Sequence, residues 1–525
     1  MLKKVHFLFP GLALVACSAC STAEPACEDL PKASGTVLHV SQKCGSATGD
    51  GSAAKPYATI GQAAAKAKSG TTISVGAGSY AESVTLTGGV SLKGSGSGKT
   101  TIAPTDQVGI NVTGAGSTSV SDLKVTGATS FGIGSTGTAL SVSGVIVDKT
   151  QLLLGQGGHG IQADGGALLQ ISACAVTGNR GVGVLAKGVS TVSIIDPGYA
   201  PAPRGLGATA IIDPGFAPAS VIGNNQGGGV AIIDPKYSPA HPDSIGGSGA
   251  VELMATDVRD NAKFGLAVWG GGAKVTRSAI RGTTKELNAD FADGIVIGAG
   301  LATSAAKVVV DSGSVVTGNA RTGLLAVVKA NVSIEGEVSG NESGGVWAQG
   351  LEVEVTLAKT ARLRENGLVA AAATHGGRLV VDGARIETTK LRPFADPASG
   401  MPEEIGDGIG VFKGGSLFIK GATLKDNARA GIVIDQARLA AGGAGLDVAI
   451  DGTAFSGSKF GIVVNKGAAG QVPVAALKAK NTFAKVATDV DNAGTLVVRA
   501  SVCVDKSPDA KSCVATAPAA GNKAK

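Results

Sequence analysis

Apolar and polar positions alternate along most of this chain in short runs, each opened by a glycine and closed by turn residues. The clearest copy is Asn319-Ala-Arg-Thr-Gly323-Leu-Leu-Ala-Val, in which an Asn stands four residues before the Gly. The same frame reads Asn179 to Gly183, Asn225 to Gly229, Asn261 to Gly265, Asn341 to Gly345 and Asn427 to Gly431. Related runs without the full frame open at Gly160, Gly294, Gly367, Gly408 and Gly461. Positions 323, 345 and 367 are 22 apart, and 408 to 431 is 23. A run with period two reads as a strand. Strands recurring at a period in the low twenties, without helices between them, read as a stacked β-solenoid.

Alternation also assigns faces. If the residue after each frame Gly points into the coil, the next points out. The outward set is then Gln162 and Asp164, Leu185 and Lys187, Ala231 and Ile233, Ala267 and Trp269, Val296, Leu325 and Val327. It continues with Trp347 and Gln349, Val369 and Ala371, Phe412, Val433 and Asp435, Val463 and Asn465. Both tryptophans of the chain fall on it. A bare apolar stripe of this length would exceed the ~300–600 Å² patch usual on a soluble monomer. The stripe is therefore expected to be covered, by inserted loops or by a partner. A slip of one residue would move the whole set inside.

Composition fits this picture. The 525 residues include 81 Gly, only 3% aromatics and 16% charged residues, which suits a narrow aliphatic stack with recurrent tight turns. The formal charge of +6 falls by two once Lys3 and Lys4 are removed with a leader. With no dense Lys/Arg run, nucleic acid is not expected as a partner.

Lys3 and Lys4 precede the apolar stretch Val5 to Ala16, too short to span a bilayer. It ends in Leu14-Val15-Ala16-Cys17, which resembles the lipobox of bacterial lipoproteins. That resemblance implies cleavage before Cys17 and a lipidated (diacylated, N-acylated) cysteine, whose several acyl chains anchor stably. Ser18 follows rather than Asp, which favours the outer membrane. An ordinary cleaved secretory signal is the alternative. Export permits disulfides, and Cys27–Cys44 and Cys503–Cys513 are expected as staples at the two ends. Cys174 falls in a strand run and reads as a buried small hydrophobe.

The block from Thr36, with Gly49-Asp50-Gly, Lys55-Pro56-Tyr57, Gly70-Thr-Thr-Ile73 and Gly78-Ser-Tyr80, resembles the start of right-handed parallel β-helix proteins of the pectin-lyase-like superfamily. The resemblance covers about residues 36–500. It implies that the Ala-rich stretch 59–68 is a short helix plugging the open end of the coil. An uncapped solenoid would expose its interior and a templating strand edge. The expected organisation is a signal peptide at 1–16, a tether at 17–35, an all-β right-handed parallel β-helix at 36–505 and a tail at 506–525.

Three coils carry longer excursions, Asp148 to Gly158, Thr283 to Asp293 and Thr388 to Asp407, whose shared placement predicts a common corner. A second repeat, Ile-Ile-Asp-Pro, starts at Ile194, Ile211 and Ile232. Asp-Pro closes a strand and opens a turn. Tyr199, Phe216 and Tyr237 could then form a platform stacking on sugar rings, with Asp196, Asp213 and Asp234 accepting from hydroxyls. Packing of those rings on the coil wall is the plainer reading. Trp269 and Trp347 are further candidate ligand contacts.

The frame Asn residues read as a structural ladder of stacked amides. Gly158-His159-Gly160 resembles the Gly-His-Gly of polygalacturonases, but the Asn-Thr-Asp, Asp-Asp and Arg-Ile-Lys partner motifs are absent. His159 shares its place with Asp293 and Asp407, which reads as a polar turn position. Lyase chemistry would need a Ca²⁺-binding carboxylate cluster and a nearby base. Asp164, Lys187 and Asp435 are the charges placed on the face concerned, on coils expected to be distant. No metal or cofactor is expected.

Three functions compete. The favoured one is a non-catalytic envelope lipoprotein that binds polysaccharide or matrix or serves as a structural element. The second is a polysaccharide lyase, hydrolase or epimerase, which fold analogy alone cannot promote. The third is an adhesin or assembly component docking another envelope protein on its apolar face.

Overall fold

The structure is a computed structural model. It describes residues 27, 30–105, 107–195, 220–233, 250–285, 291–299, 305–395, 402–441, 445–465 and 472–492. Cys17, Cys503, Cys513, both termini and the tail lie outside these residues.

The chain winds through three long parallel sheets. Each coil gives one strand to sheet 1, which starts at Thr36–Val40, then one to sheet 2, which starts at Gly78–Tyr80, then one to sheet 3, which starts at Val84–Thr87. This is the right-handed parallel β-helix expected from the repeat. The alternate residues that face inward form one continuous aliphatic core, for example Ile161, Val184, Val230, Leu266, Ile295 and Leu324 in register along sheet 3.

The N-terminal end is plugged by the helix Ile60–Lys66. Thr59 caps it in a full capping box with Gln62, and Glu82 accepts from the Ile60 and Gly61 amides. The helix's own Ile60 and Ala63 are fully buried. A second helix, Val474–Lys480, was not foreseen in the sequence; its Leu477 joins the core near the last coils. No helix among the described residues is long and apolar enough to cross a membrane.

The frame has a mechanical origin at the corner between sheets 2 and 3. The strand of sheet 2 ends in one residue of positive φ, such as Gly178 (66°), Asn224 (56°), Asp260 (54°) or Gly318 (64°). The next residue is the ladder Asn. Asn179 Nδ2 donates to Asn225 Oδ1 at 2.9 Å, and Asn225 to Asn261 at 3.0 Å. Asn319 donates to Asn341 at 2.8 Å, and Asn341 to Asn366 at 2.9 Å. Backbone amides of each coil also donate to the next Oδ1. All these Asn side chains are buried and satisfied, so the ladder is structural.

The frame Gly belongs to the same device one coil earlier. A methyl on Gly323 would sit 2.7 Å from Asn341 Nδ2, and one on Gly294 2.7 Å from Asn319 Nδ2. Register corrects one copy: Gly345 pairs in sequence of coils with Ala370, not Gly367. Asn366 is therefore a ladder member, four residues before an Ala. The next coil there holds Thr389 in the ladder place, a shorter side chain than Asn.

Thr150, Thr283 and Thr389 occupy ladder places in the three coils that carry excursions. All three excursions thus leave one corner, as expected. The first folds into a hairpin, Leu152–Leu153 against Gln156–Gly157, with Leu154 at its tip 97% exposed. The third folds back as Arg392–Ala395 against Pro402–Ile405.

Candidate functional site: the outer face of sheet 3

Outward residues of sheet 3 form clusters separate from the interior core. One contains Leu325, Val327, Trp347, Ala372, Phe412, Val433 and Val463; a smaller one contains Leu185, Ala231 and Ala267, with Trp269 packed against it. The outward register is thus right, with one correction: Ala371 faces the interior and Ala372 faces out, because the copy is counted from Ala370. Trp347 is fully buried and Trp269 half-buried. The third excursion adds Phe394 and Ile405 to the layer over the stripe.

Aromatic rings on this face lie over glycines. A Cβ on Gly344 would collide with the Trp347 indole, one on Gly410 with the Phe412 ring, and one on Gly228 with the Phe264 ring. A glycine in a strand offers no side chain to pack, and a flat ring fills that gap. Trp347 Nε1 is buried without a hydrogen-bond partner.

Charges on the face fall into two settings. Asp293 is sealed beneath Arg321, whose Nε donates to Oδ1 at 2.8 Å while Nη2 bonds Oδ2; Thr322 donates from its amide and hydroxyl. Phe291 stacks under the guanidinium at 5.1 Å. Asp407 repeats this with Arg429, at 2.9 Å from Nε, and Glu403 takes a third bond at 2.6 Å. Burial pushes Asp407 above the usual carboxylate range, with the Arg429 bonds pulling against it. Both aspartates are fully buried, so neither carboxylate faces a ligand on the surface.

His159 begins a strand rather than a turn, and it shares its register column with Asp293 and Asp407. Its Nδ1 accepts from the Val182 amide at 3.1 Å, which fixes the proton on Nε2. Burial, helped by Lys187 and opposed by Asp164, lowers its pKa to about 4. Asp164 and Lys187 are not on distant coils; they pair directly, with Nζ and Oδ1 4.0 Å apart, and Gln162 donates to Asp164 at 2.6 Å. Asp435, on a distant coil, accepts from Asn465 at 2.5 Å.

The patch around His159 therefore holds one carboxylate, one ammonium and a neutral imidazole. Glycoside hydrolysis by the common routes needs two carboxyl groups flanking the scissile bond. Among the described residues no group of three or more His, Cys, Asp or Glu could hold a metal ion.

Cys27 and Cys44 are disulfide-bonded, with Cα atoms 6.4 Å apart. Cys174 is a buried free thiol, its pKa pushed up to about 11 by burial. Asp196, Tyr199, Asp213, Phe216, Asp234 and Tyr237 lie outside the described residues. The strands leading to the first and third of these loops belong to different sheets: Thr191–Ile195 to sheet 1 and Gly228–Ile233 to sheet 3.

No protein-family model matches this sequence, and no curated protein matches it. Among solved structures, the coil is similar to the catalytic unit of a GH87 α-1,3-glucanase from Streptomyces thermodiastaticus strain HF3-3, at 16% identity and a TM-score of 0.42. That match covers 76% of this chain and 70% of that one. It is also similar to the A-module of the Azotobacter vinelandii mannuronan C-5 epimerase AlgE4, at 16% identity and 0.34, over 82% of this chain and 91% of that one. The pectate lyase Pel9A matches at 12% and 0.34, over 80% and 78%. The likeness goes no further than the parallel β-helix coil, which the three parallel sheets already establish.

Proposed function

We propose that this protein is a non-catalytic, lipid-anchored β-helix of the outer membrane that binds polysaccharide. The observation that supports this reading is the outer face of sheet 3. Its middle is a packed apolar layer around Trp347 and Phe412, and Asp293 and Asp407 are spent on Arg321 and Arg429. A face built this way lends rigidity to a rod, and among the described residues it leaves no acid–base pair poised over a groove. The reading also draws on the stretch ending at Cys17, which resembles a lipobox, and on a charge too weakly positive for nucleic acid.

The test incubates the purified protein with acidic and neutral polysaccharides and measures bound glycan, new reducing ends and unsaturated uronate. Binding without product is the expected result. Product formation abolished by Asp164→Asn or His159→Gln would replace the reading with an enzymatic one. In cells, Cys17→Ser should release the protein from the outer-membrane fraction, and retention there would remove the lipid anchor from the proposal.

A further inference from the structure

The segment Leu30–Ser34 runs across the outer face of sheet 1 at its first coils. It is fastened by the Cys27–Cys44 disulfide and by Ser74 Oγ, which donates to the Pro31 carbonyl at 2.9 Å. Two cavities open beside it, of about 520 Å³ and about 410 Å³. Lys32 and Lys93 line both, so the two are halves of one trough that passes the strap.

The chemistry of the trough is one-sided. Among the described residues Lys32, Lys93 and Lys99 line it against a single carboxylate, Asp122. Many cations elsewhere on the coil are neutralised across neighbouring strands: Lys124 by Asp148 at 2.8 Å, Arg281 by Asp257 at 2.8 Å, and Arg364 by Glu337 at 2.8 Å. None of the three trough lysines has an ion-pair partner among the described residues. The floor is a field of hydroxyls in register. Ser91 pairs with Thr72 on one side, and Leu92 and Lys93 pair with Val120 and Ser121 on the other, which sets Ser119 beside Ser91. Rows of hydroxyls offer donors and acceptors at the spacing of successive strands, about 4.8 Å.

We propose that this trough binds an acidic oligosaccharide, with Lys32, Lys93 and Lys99 taking the carboxylate or sulfate groups and Ser91, Ser119 and Ser121 the sugar hydroxyls. An isolated phosphate would need only the lysines. A lipid headgroup would need an apolar wall continuing into acyl chains, and among the described residues the lining offers only Leu30, Pro31, Ala33 and Ala77. The extended, hydroxyl-floored shape suits a glycan chain. The inference deepens the polysaccharide-binding reading above and moves its site from sheet 3 to sheet 1. The disulfide acquires a purpose beyond stability, because it holds the strap that carries Lys32.

The test titrates the full-length protein with oligogalacturonate and with a sulfated dextran oligomer, by calorimetry at two salt concentrations. A neutral cello-oligosaccharide serves as competitor, and phosphatidylglycerol vesicles form a separate arm. At least one acidic oligomer should bind, more weakly in high salt. Lys93→Gln together with Lys99→Gln should weaken it about tenfold or more, the loss of a charge-assisted contact, without changing the melting temperature. Cys27→Ser should weaken it in the same direction by loosening the strap. Undiminished affinity in the double variant, equal competition by the neutral oligomer, or binding to vesicles alone would each overturn the proposal. Product release from a bound glycan would instead overturn the non-catalytic reading and leave the trough standing.

Discussion

Arg429 donates from Nε to Asp407 Oδ1 at 2.9 Å across consecutive strands of sheet 3, with side-chain exposures of only 8% and 0%. Arg321 and Asp293 repeat the bond at 2.8 Å, with exposures of 6% and 0%. In both cases the Asp closes an excursion and the Arg comes from the next coil. The pair therefore fastens the end of the inserted segment to the regular rod. Taking two charges out of water is costly, and the contact offsets that cost only while both partners remain.

Asp407→Ala should destabilise the protein by about 3 kcal/mol, because it removes two of the bonds to a buried guanidinium and leaves it only Glu403. Replacing both members, Asp407→Val with Arg429→Leu, should recover most of that loss. Thermal unfolding and hydrogen exchange of residues 402–434 would measure it. A single variant no worse than the double would show that the pair is not coupled.

The buried His159 makes stability depend on pH. Its folded pKa of about 4 lies below the ordinary value of 6.5, so the unfolded chain binds the proton more readily between those values. The stabilising contribution is fully present above pH 6.5 and is lost as pH falls toward 4. By pH 5 the loss should reach about 2 kcal/mol, an upper estimate for a half-buried ring. Protonating Nδ1 also breaks the bond from the Val182 amide. His159→Gln should flatten the melting temperature between pH 7 and 5; an unchanged slope would assign it to other groups.

Trp347 covers Gly344 on its own strand and leaves its indole N–H unpaired. Trp347→Ala should cost about 3–5 kcal/mol through the cavity. Trp347→Phe should be far milder, since it also removes a buried donor whose desolvation costs ~1–3 kcal/mol. Gly344→Ala should be nearly as harmful as the cavity variant, because its methyl meets the indole and lies 3.1 Å from the Val369 carbonyl. Equal stability of the Phe and Ala variants at position 347 would refute this packing.

Much of the coil was legible from period and alternation alone, because every coil solves the same turn in the same way. The outward placement of Trp269 and Trp347 followed from one assumption about the residue after the frame Gly. Counting failed at Gly367, where a tempting Gly stands one residue after Asn366 and the true frame position is Ala370. The Asp–Arg clamps were missed although their signal is in the sequence. An Asp stands directly before Gly294 and Gly408, and one coil later an Arg stands two before Gly323 and Gly431. Reading each copy by itself hid a pattern that exists only between copies. The pairing of Asp164 with Lys187 was hidden in the same way, as they are 23 residues apart in sequence but adjacent in register. The trough on sheet 1 had no sequence signal, since it depends on where the strap after Cys27 lies.

The coupling between copies yields the sharpest prediction for the frame itself. A methyl on Gly323 would sit 2.7 Å from Asn341 Nδ2 and 2.5 Å from Val338 Cγ1. Gly323→Ala should therefore cost about 1–3 kcal/mol through overpacking. Asn341→Ala should cost a similar ~1–3 kcal/mol, because it leaves the Asn319 backbone and side-chain amides without their acceptor and takes from Asn366 Oδ1 one of its two donors, the backbone amide of residue 341 remaining. Asn341→Thr should be milder, since Thr389 shows that a hydroxyl in this place keeps its bond to the next Asn, at 2.7 Å. Thr389 is also the ladder residue of the coil that follows Ala370, a frame position that carries Ala. Combining Gly323→Ala with Asn341→Thr should then be less harmful than the sum of the two by more than ~0.5 kcal/mol, the margin that separates coupled from independent sites. The rescue should stay partial, because Val338 still crowds the new methyl. Melting curves of the four proteins in this cycle decide the matter, and strict additivity would mean that Gly323 is required by its own strand rather than by the Asn of the coil above it.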